Sequence, residues 1–555
     1  MCFKRSIILL IPVRYIYLKK NNLQKMTKKT LLIPAAGEIN NPLTSQFGLV
    51  NDCLLPINGK PVIEWTVGNA IEHKVDKILI LTNSNSYSVL ERYLSIKFSK
   101  FQDIIVLYSI QSQSLGDTIR QGIGLASVDN LYIVLGDTIY LGNFNQTSNL
   151  VSFRDDYEIS SRWCICDIDT SSRIVKFYNK VEVKGKDKVV SGLFYIKDLE
   201  DLKDALINSD DDFFQALIIL VLHAENIKEV YDCGHIDNYY KTKKELLMSR
   251  FFNYLEYDDS YQTITKKSKM KKNFNNELNW FLSVPLKLQN FVPKLVDYSY
   301  DPLYYTSEYY GYNTLQEYFV THSLNEEIWK MIIRKLLSVH KCFSSHTSPR
   351  KIEHLVSMYI DKTQKRINLI KDEKILNLLS FEKLIVNDIE YQSYSLLKNQ
   401  IESRILDFIA HDDTPFSIIH GDLCFNNILF DVNNQIVKLI DPRGEFGEVG
   451  IYGDPYYDLA KLRHSIHGGY EFIISDLFDL SNIEKNKFLY TTNKNYRGLV
   501  EYFDKLIVQD YNVEFVKLIE GLLFISMIPL HSNSRGRQIA MYLTGIMLLN
   551  EVCKN

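Results

Sequence analysis

The sequence predicts an α/β chain in two parts, an open doubly wound parallel sheet followed by an α+β unit whose second half is mainly helical. Three observations predict it. Between Thr30 and Asp137, apolar runs of strand length alternate with amphipathic stretches of helix length, the order of a parallel sheet covered on both faces. At 555 residues the chain is longer than one core usually serves, so two or three domains are expected. Runs 416–419 and 437–440 read as strands, each delivering a carboxylate where it ends, Asp422 and Asp441, with Asn427 on the loop between them.

In chain order, residues 31–33 read as a buried strand, 61–73 as a helix and 77–82 as a strand. A helix at 86–95, a strand at 104–107, a helix at 117–127 and a strand at 131–135 follow, the last ending in Gly136-Asp137. Sheets of this kind bind ligands beyond the carboxyl ends of their strands, where Gly37 and Asp137 fall. Residues 240–253 read as a helix closing this domain, with Asp237 and Asn238 as candidate caps. The second part opens with an alternating strand at 261–266, a Lys-rich turn and a helix at 275–282. Residues 302–311 form a strand running into a polar turn, and 315–320 starts the helical half. The apolar spacing of 329–342, 352–369 and 394–410 is that of helices packing one face on a core. Asp454 before Pro455 reads as an N-cap with Pro at the first helical position.

Composition narrows the function classes. Hydrophobic residues at 46% and charged residues at 24% are ordinary globular values that allow large cores. A net charge of -3, with basic residues scattered except at 266–272, offers no field for a polyanion, so nucleic acid is not the implied partner. Eight cysteines lack any CxxC pair, which argues against a zinc site or a disulfide framework and fits a reducing, cytoplasmic setting. Residues 1–29 are expected to lie outside the fold. The apolar run 6–13 is too short to span a bilayer and is interrupted by Pro12, and Met26 is an alternative start.

The motif 420–427, His-Gly-Asp-Leu-Cys-Phe-Asn-Asn, with Ile440-Asp441-Pro442-Arg443-Gly444 after it, has the residue types that phosphoryl transfer requires. One group must orient and deprotonate an acceptor hydroxyl, and hard oxygen ligands must hold Mg²⁺ on the phosphates. Asp422 suits the first task; Asn427 and Asp441 suit the second. The spacing matches the HRDxxxxN loop of protein kinases, with Gly421 in place of Arg and IDPRG in place of DFG. These residues resemble the aminoglycoside phosphotransferase and choline kinase group, which phosphorylates small molecules in a bilobal kinase-like fold. The resemblance implies that Lys266 neutralises ATP phosphates while Glu277 holds it, with strand phase deciding between Lys266 and its neighbour Lys267. It also implies that Glu308 to Tyr310 form the adenine hinge and that Asp458 braces the catalytic loop. Arg443 is a possible phosphate contact or a surface partner of Glu445 or Glu448.

In the first part, LIPAAG, LLPINGKPVIEWTV, QSLGDTIRQGI, VLGD and YDCGHIDNYYKTKKELL resemble the sugar nucleotidyltransferases, including choline-phosphate cytidylyltransferases. That resemblance implies a Rossmann-like, GT-A-like nucleotidyltransferase domain. In it, Asp137 and Asp232 hold Mg²⁺, Lys180 contacts the acceptor phosphate, and Gly37, Gly116 and Gly192 line the nucleotide and acceptor sites. One departure stands out. The family's first loop carries an Arg and is followed by a Lys, whereas this chain has no basic residue between Lys29 and Lys60 and has Asp52 near the loop.

The expected layout is therefore an extension at 1–29, a nucleotidyltransferase-like domain at 30–254 and a kinase-like domain at 255–555, its N-lobe at about 258–313 and its helical C-lobe at about 314–555. The expected activity is phosphorylation of a hydroxyl compound by ATP, then coupling to NMP from CTP or UTP for surface glycan or lipid building blocks. Alternatives are an inactive nucleotide-sugar-binding first domain, or a glycosyltransferase fused to a kinase. Small molecules and nucleotides are the expected partners, without a membrane span.

Overall fold

The computed structural model describes residues 28–37, 51–155, 162–181, 183, 188–247, 253–492 and 498–554. The run 6–13, the alternative start at Met26, and the loop residues Glu38 to Pro42 lie outside them.

The first part is a nine-stranded mixed sheet. Strand β1 (Thr30–Ala35) is followed by α1 (Val62–Glu72), β2 (Lys77–Thr82), α2 (Ser84–Lys97), β3 (Ile105–Ser109), α3 (Leu115–Ala126) and β4 (Leu131–Val134). Then come β5 (Leu150–Asp155), β6 (Cys164–Ile168), β7 (Ile174–Asn179), β8 (Lys188–Ile196) and β9 (His223–Asn226). The sheet order is β7-β6-β8-β4-β1-β2-β3, with β5 beside β8 and β9 beside β5. Strands β1, β2, β3 and β4 are mutually parallel, and β8 returns antiparallel to β4.

Side-chain alternation explains why the sheet is covered on both faces. Leu31, Ile33, Ile78, Ile80, Tyr132 and Val134 pack in one apolar cluster, and Leu32, Leu79, Leu81, Leu131 and Ile133 pack in the other. Successive strand residues thus enter opposite cores, which is why these strands read as continuous apolar runs. Local signals set the helix ends. Asn83 caps α2 by accepting from Ser86 N, and Ser114 caps α3 by accepting from Asp117 N. The chain order reverses between β1 and β4, so the crevice at their carboxyl ends receives Gly37 and Asp137.

Helix α4 (Ile236–Glu245) ends this part. It differs from the expected helix at 240–253: it starts earlier, and residues 248–252 lie outside the described set. Asp237 and Asn238 are not caps but first-turn residues, and the N-cap His235 makes no side-chain capping bond. Asn253 begins β10 (Asn253–Asp258), which pairs antiparallel with β11 (Thr263–Ser268). The second sheet therefore starts before residue 258, because the alternating 253–258 run gains a full ladder of cross-strand bonds that a helix end could not supply. Tyr261 lies in the turn, with Gln262 at φ 51°, so the expected 261–266 strand is shifted by two residues.

The smaller lobe is a four-stranded antiparallel sheet in the order β10-β11-β13-β12, where β12 is Leu295–Tyr300 and β13 is Leu303–Glu308. Helix α5 (Lys271–Ser283) packs on it. Helix α6 (Leu315–Val320) opens the larger lobe with a capping box of Thr314 and Glu317, and α7 (Glu326–Ser344) buries Trp329, Ile333 and Leu336. The expected 352–369 helix winds as Ile352–Val356, a π-helical turn Ser357–Asp361 and Lys362–Ile367. After α8 (Tyr394–His411), strands β14 (Phe416–Ile418), β15 (Ile428–Asp431) and β16 (Ile436–Leu439) carry the motif residues, and α9 (Pro455–Ile466) follows. Helices α10 (Val513–Met527) and α11 (Arg535–Cys553) close the lobe. No helix among the described residues is long and apolar enough to cross a membrane.

Candidate active sites

In the second part, the chain leaves β14 through Ile419, His420 and Gly421. His420 is 1% exposed, its Nε2 lies 3.0 Å from Ile440 O, and Trp280 Nε1 donates to Ile419 O at 2.8 Å. Both oxygens of Asp458, on α9, accept from this loop: His420 N at 2.6 Å and Gly421 N at 2.8 Å. Gly421 has φ 77°, and a Cβ there would lie 2.8 Å from Arg443 Cβ. A left-handed backbone under a close neighbour explains glycine where protein kinases have Arg.

This frame presents Asp422. Lys461 Nζ sits 2.9 Å from Asp422 Oδ1, and Asn427 Nδ2 donates to Asp422 O at 2.9 Å and to Oδ2 at 3.2 Å. Burial opposes ionisation of Asp422, but Lys461 and Arg443 overcome it and hold the carboxyl well below the usual carboxylate range. Lys461 was not singled out from sequence. The signal was present, since it stands three residues after Asp458 on one helix face. Asn427 closes a short 3₁₀ turn and is 2% exposed. Its backbone O accepts from Ile440 N at 3.0 Å, which ties the Asn427 turn to the strand leading into Asp441.

Asp441, at φ 55°, faces the smaller lobe. Lys266 on β11 donates to Asp441 Oδ1 at 2.7 Å and to the two oxygens of Glu277 at 2.7 and 2.9 Å. Tyr305 OH donates to Glu277 at 2.6 Å. Burial pushes Glu277 up to about 7 against the pull of Lys266; despite its own burial, Lys266 is raised by Asp441 and Glu277. Lys267 points to the other strand face and pairs with Glu256 at 2.7 Å, so strand phase separates the two lysines.

Two cavities meet at Lys266 and Asp441. One of 610 Å³ includes Ile264, Glu308, Tyr309, Tyr310, Leu429 and Ile440 in its lining. The other, of 460 Å³, is bordered by Asn273, Glu277, Asp422, Arg443 and Glu445. Arg443 is exposed and its backbone N donates to His420 O at 2.9 Å. Glu445 and Glu448 pair instead with Lys272 and Lys351. Asp454 accepts from Tyr456 N and Tyr359 OH, and burial pushes it up to about 6.

In the first part, Asp137 and Asp232 come together where residues 138–140 pair antiparallel with 230–232, Asp232 opposite Thr138. A Cβ on Gly234 would lie 2.1 Å from Asp137 Oδ2. Burial, then Asp232 and Asp52, push Asp137 up to about 7. Asp232 is lowered in spite of burial by His235 and Arg154, its Oδ2 lying 3.5 Å from each. The Arg154 guanidinium stacks 4.7 Å over Trp163; neither residue was singled out from sequence, because only the folded sheet brings Arg154, on β5, to Asp232 and Trp163, just before β6, against Arg154 and His235. Gly192, at φ 96°, packs against Thr138 beside Asp137. Gly116 faces elsewhere: a Cβ there would meet Asp211 O at 2.0 Å, so helix packing accounts for it. Lys180 is exposed, with its backbone N donating to Trp163 O at 2.8 Å. Asp52 lies against Gly37, its Oδ2 2.9 Å from where a Cβ would stand.

Among the described residues no three His, Cys, Asp or Glu side chains form a metal-binding group. Mg²⁺ sites on nucleotides need fewer protein ligands, one or two carboxylates completed by phosphates and water. The donor sets Asn427 with Asp441, and Asp137 with Asp232, are of that kind.

The Phosphotransferase enzyme family (APH) matches residues 377–472, a segment holding Asp422, Asn427, Asp441 and Asp458. Solved structures similar to this chain include a UDP-glucose pyrophosphorylase complexed with UDP-glucose. It is 18% identical, with a TM-score of 0.33, over 39% of this chain and 97% of that one. HddC from Yersinia pseudotuberculosis is 18% identical, with a TM-score of 0.33, over 40% of this chain and 100% of that one. The CTP:phosphocholine cytidylyltransferase LicC from Streptococcus pneumoniae is 15% identical, with a TM-score of 0.32, over 40% and 100%. No curated protein matches the chain significantly in sequence.

Proposed function

We propose that the chain is a two-step transferase. Its C-terminal domain phosphorylates a small hydroxyl compound with ATP. Its N-terminal domain couples the phosphorylated product to a nucleoside monophosphate from CTP or UTP and releases pyrophosphate, supplying a building block for surface glycans or lipids. The observation that carries this reading is the meeting of Lys266, Glu277 and Asp441 within 2.9 Å at the junction of two cavities, one of which reaches Asp422.

In the first step adenine lies against Glu308 to Tyr310, and Lys266, held by Glu277, neutralises the phosphates. Asn427 and Asp441 would hold Mg²⁺, which supplies charge neutralisation on the transferring group. Asp422, kept anionic by Lys461, accepts a hydrogen bond from the acceptor hydroxyl and aims its oxygen at the γ-phosphorus. The new O–P bond forms as the bond to ADP breaks, and the hydroxyl proton passes through Asp422 to solvent. Arg443 borders the same cleft and balances an anionic group there. In the second step Asp137 and Asp232 would hold Mg²⁺, Lys180 contacts the acceptor phosphate, and Gly37 and Gly192 shape the nucleotide and acceptor sites, whereas Gly116 packs against the 211 turn and takes no part.

The test is a screen of hydroxyl acceptors by ATP consumption. With the best acceptor, Asp422→Asn is expected to lower kcat at least about 100-fold, in the range general-base removal causes; an unchanged rate would remove the kinase assignment. A second reading, that the first domain binds a nucleotide-linked ligand without chemistry, is favoured by Asp52 against Gly37 and by the Arg154 contact that engages Asp232. Pyrophosphate release from CTP or UTP, lost in Asp137→Ala, excludes it; release of free nucleoside diphosphate instead indicates glycosyl transfer.

A further inference from the structure

The first domain does more than precede the kinase domain in sequence. The 610 Å³ cavity read above as the nucleotide pocket is lined on its hinge side by Glu308, Tyr309 and Tyr310, and on its outer side by Asn58, Lys60, Glu64 and Lys97 of the first domain. Lys97 Nζ bridges the mouth, lying 3.2 Å from Glu64 Oε1 and donating to Ser475 O of the larger lobe at 2.8 Å. Lys60 stands 3.7 Å from the same Glu64 oxygen.

At the pocket wall, α4 reaches the segment 311–313 that directly follows the hinge. Lys243 is 5% exposed, and its ammonium donates to Tyr312 O at 3.1 Å, to Gly311 O at 3.4 Å and to Asn313 Oδ1. It also lies 3.7 Å from Glu317 Oε2. Glu317 is in turn bound by Gly59 N at 2.8 Å while capping α6 through Thr314 N at 2.8 Å. Asn58 Nδ2 donates to Lys243 O at 2.9 Å, and Tyr239 OH lies 3.1 Å from Asn313 Oδ1. A buried ammonium that binds two backbone carbonyls and the Asn313 side chain fixes where this segment sits, because removing it takes a donor from the Gly311 and Tyr312 carbonyls and the counter-charge from Glu317.

We infer that the nucleotide site of the kinase domain is composite: Lys243 is a positioning residue for the 311–313 segment that anchors the hinge Glu308 to Tyr310, and Lys60, Glu64 and Lys97 complete the pocket that receives the nucleoside end of ATP. The inference rests on the kinase reading above. Its consequence is that part of the ATP affinity resides in a domain that performs no phosphoryl transfer to the hydroxyl acceptor.

The experiment is an ATP titration of the full-length chain with saturating acceptor. The double variant Lys60→Ala/Lys97→Ala, at partly exposed mouth positions, is expected to raise the ATP KM about 5- to 10-fold with kcat within about twofold, the split that marks lost ground-state binding. Lys243→Met, verified as folded by circular dichroism, should raise it at least as much. Lys266→Ala separates the two levels of argument. If Lys266→Ala leaves phosphorylation intact, the kinase reading fails. If Lys266→Ala abolishes it while the mouth double variant keeps its ATP KM within about twofold of wild type, the composite site is overturned.

Discussion

At Asp422, type and surroundings do separate work: in the proposed reaction the carboxylate meets the acceptor, while Lys461 keeps it charged and Asp458 sets its backbone. Asp458 holds two buried N–H groups, and an Ala there leaves both unsatisfied at a cost of about 1–3 kcal/mol each. Asp458→Ala is therefore expected to lower kcat for ATP-dependent phosphorylation by about 100-fold with ATP KM within about threefold, since Lys266 and the hinge lie on the other lobe. Steady-state kinetics check this, and Asp458→Asn, which keeps one acceptor oxygen, should recover part of the rate. The motif carboxylates were legible because their order along the chain repeats the chemistry's requirements. Lys461 could have been read from its helical spacing. Arg154 and Lys243 could not, because nothing local to either announces that the folded sheet brings one to Asp232 and a domain contact brings the other to residues 311–313 beside the hinge.

Among elements, the β-α alternation from β1 to β4 was legible because each run is long and its apolar period unambiguous. The boundary between α4 and β10 was not, since 246–255 is apolar enough for either state and cross-strand pairing with β11 decides it. The C-terminal helices rest on a buried charge set that propensity does not announce. Arg463 on α9 donates to Asp504 at 2.9 and 3.0 Å and pairs with Glu520 on α10, whose other oxygen lies 3.3 Å from His467. Burial opposes the Glu520 charge, but Arg463 and His467 bring its pKa down to about 2 from an ordinary 4.5. As pH falls below about 4.5 the unfolded chain takes up a proton that the native chain refuses, so stability is present above that pH and drains away toward pH 2. At 1.36 kcal/mol per unit the stake is about 3 kcal/mol. Glu520→Gln should therefore lower Tm at pH 7, and the gap between variant and wild type should narrow below pH 4.5 and close only toward pH 2, measured by thermal melts across that range.

On the scale of the whole molecule, the two cavities open toward different surroundings. The 610 Å³ cavity is walled in part by the first domain, whereas every described residue lining the 460 Å³ cleft beside Asp422 belongs to the second. Under the proposed activity, phosphorylated product leaves through a cleft that the first domain does not border, and it must reach Asp137 and Asp232 through solvent. Linkage then adds only a local concentration effect. That effect is small, because a released small molecule diffuses away far faster than a kinase turning over about 1–100 times per second. With isotopically labelled acceptor, ATP and CTP or UTP, added unlabelled phosphorylated acceptor should dilute the label in the nucleotide-linked product in proportion to its share of the pool. Mass spectrometry of that product reads the ratio directly. Label retained undiluted would mean that the intermediate passes between the domains without release, and would require the domains to rearrange so that the Asp422 cleft faces the Asp137 site.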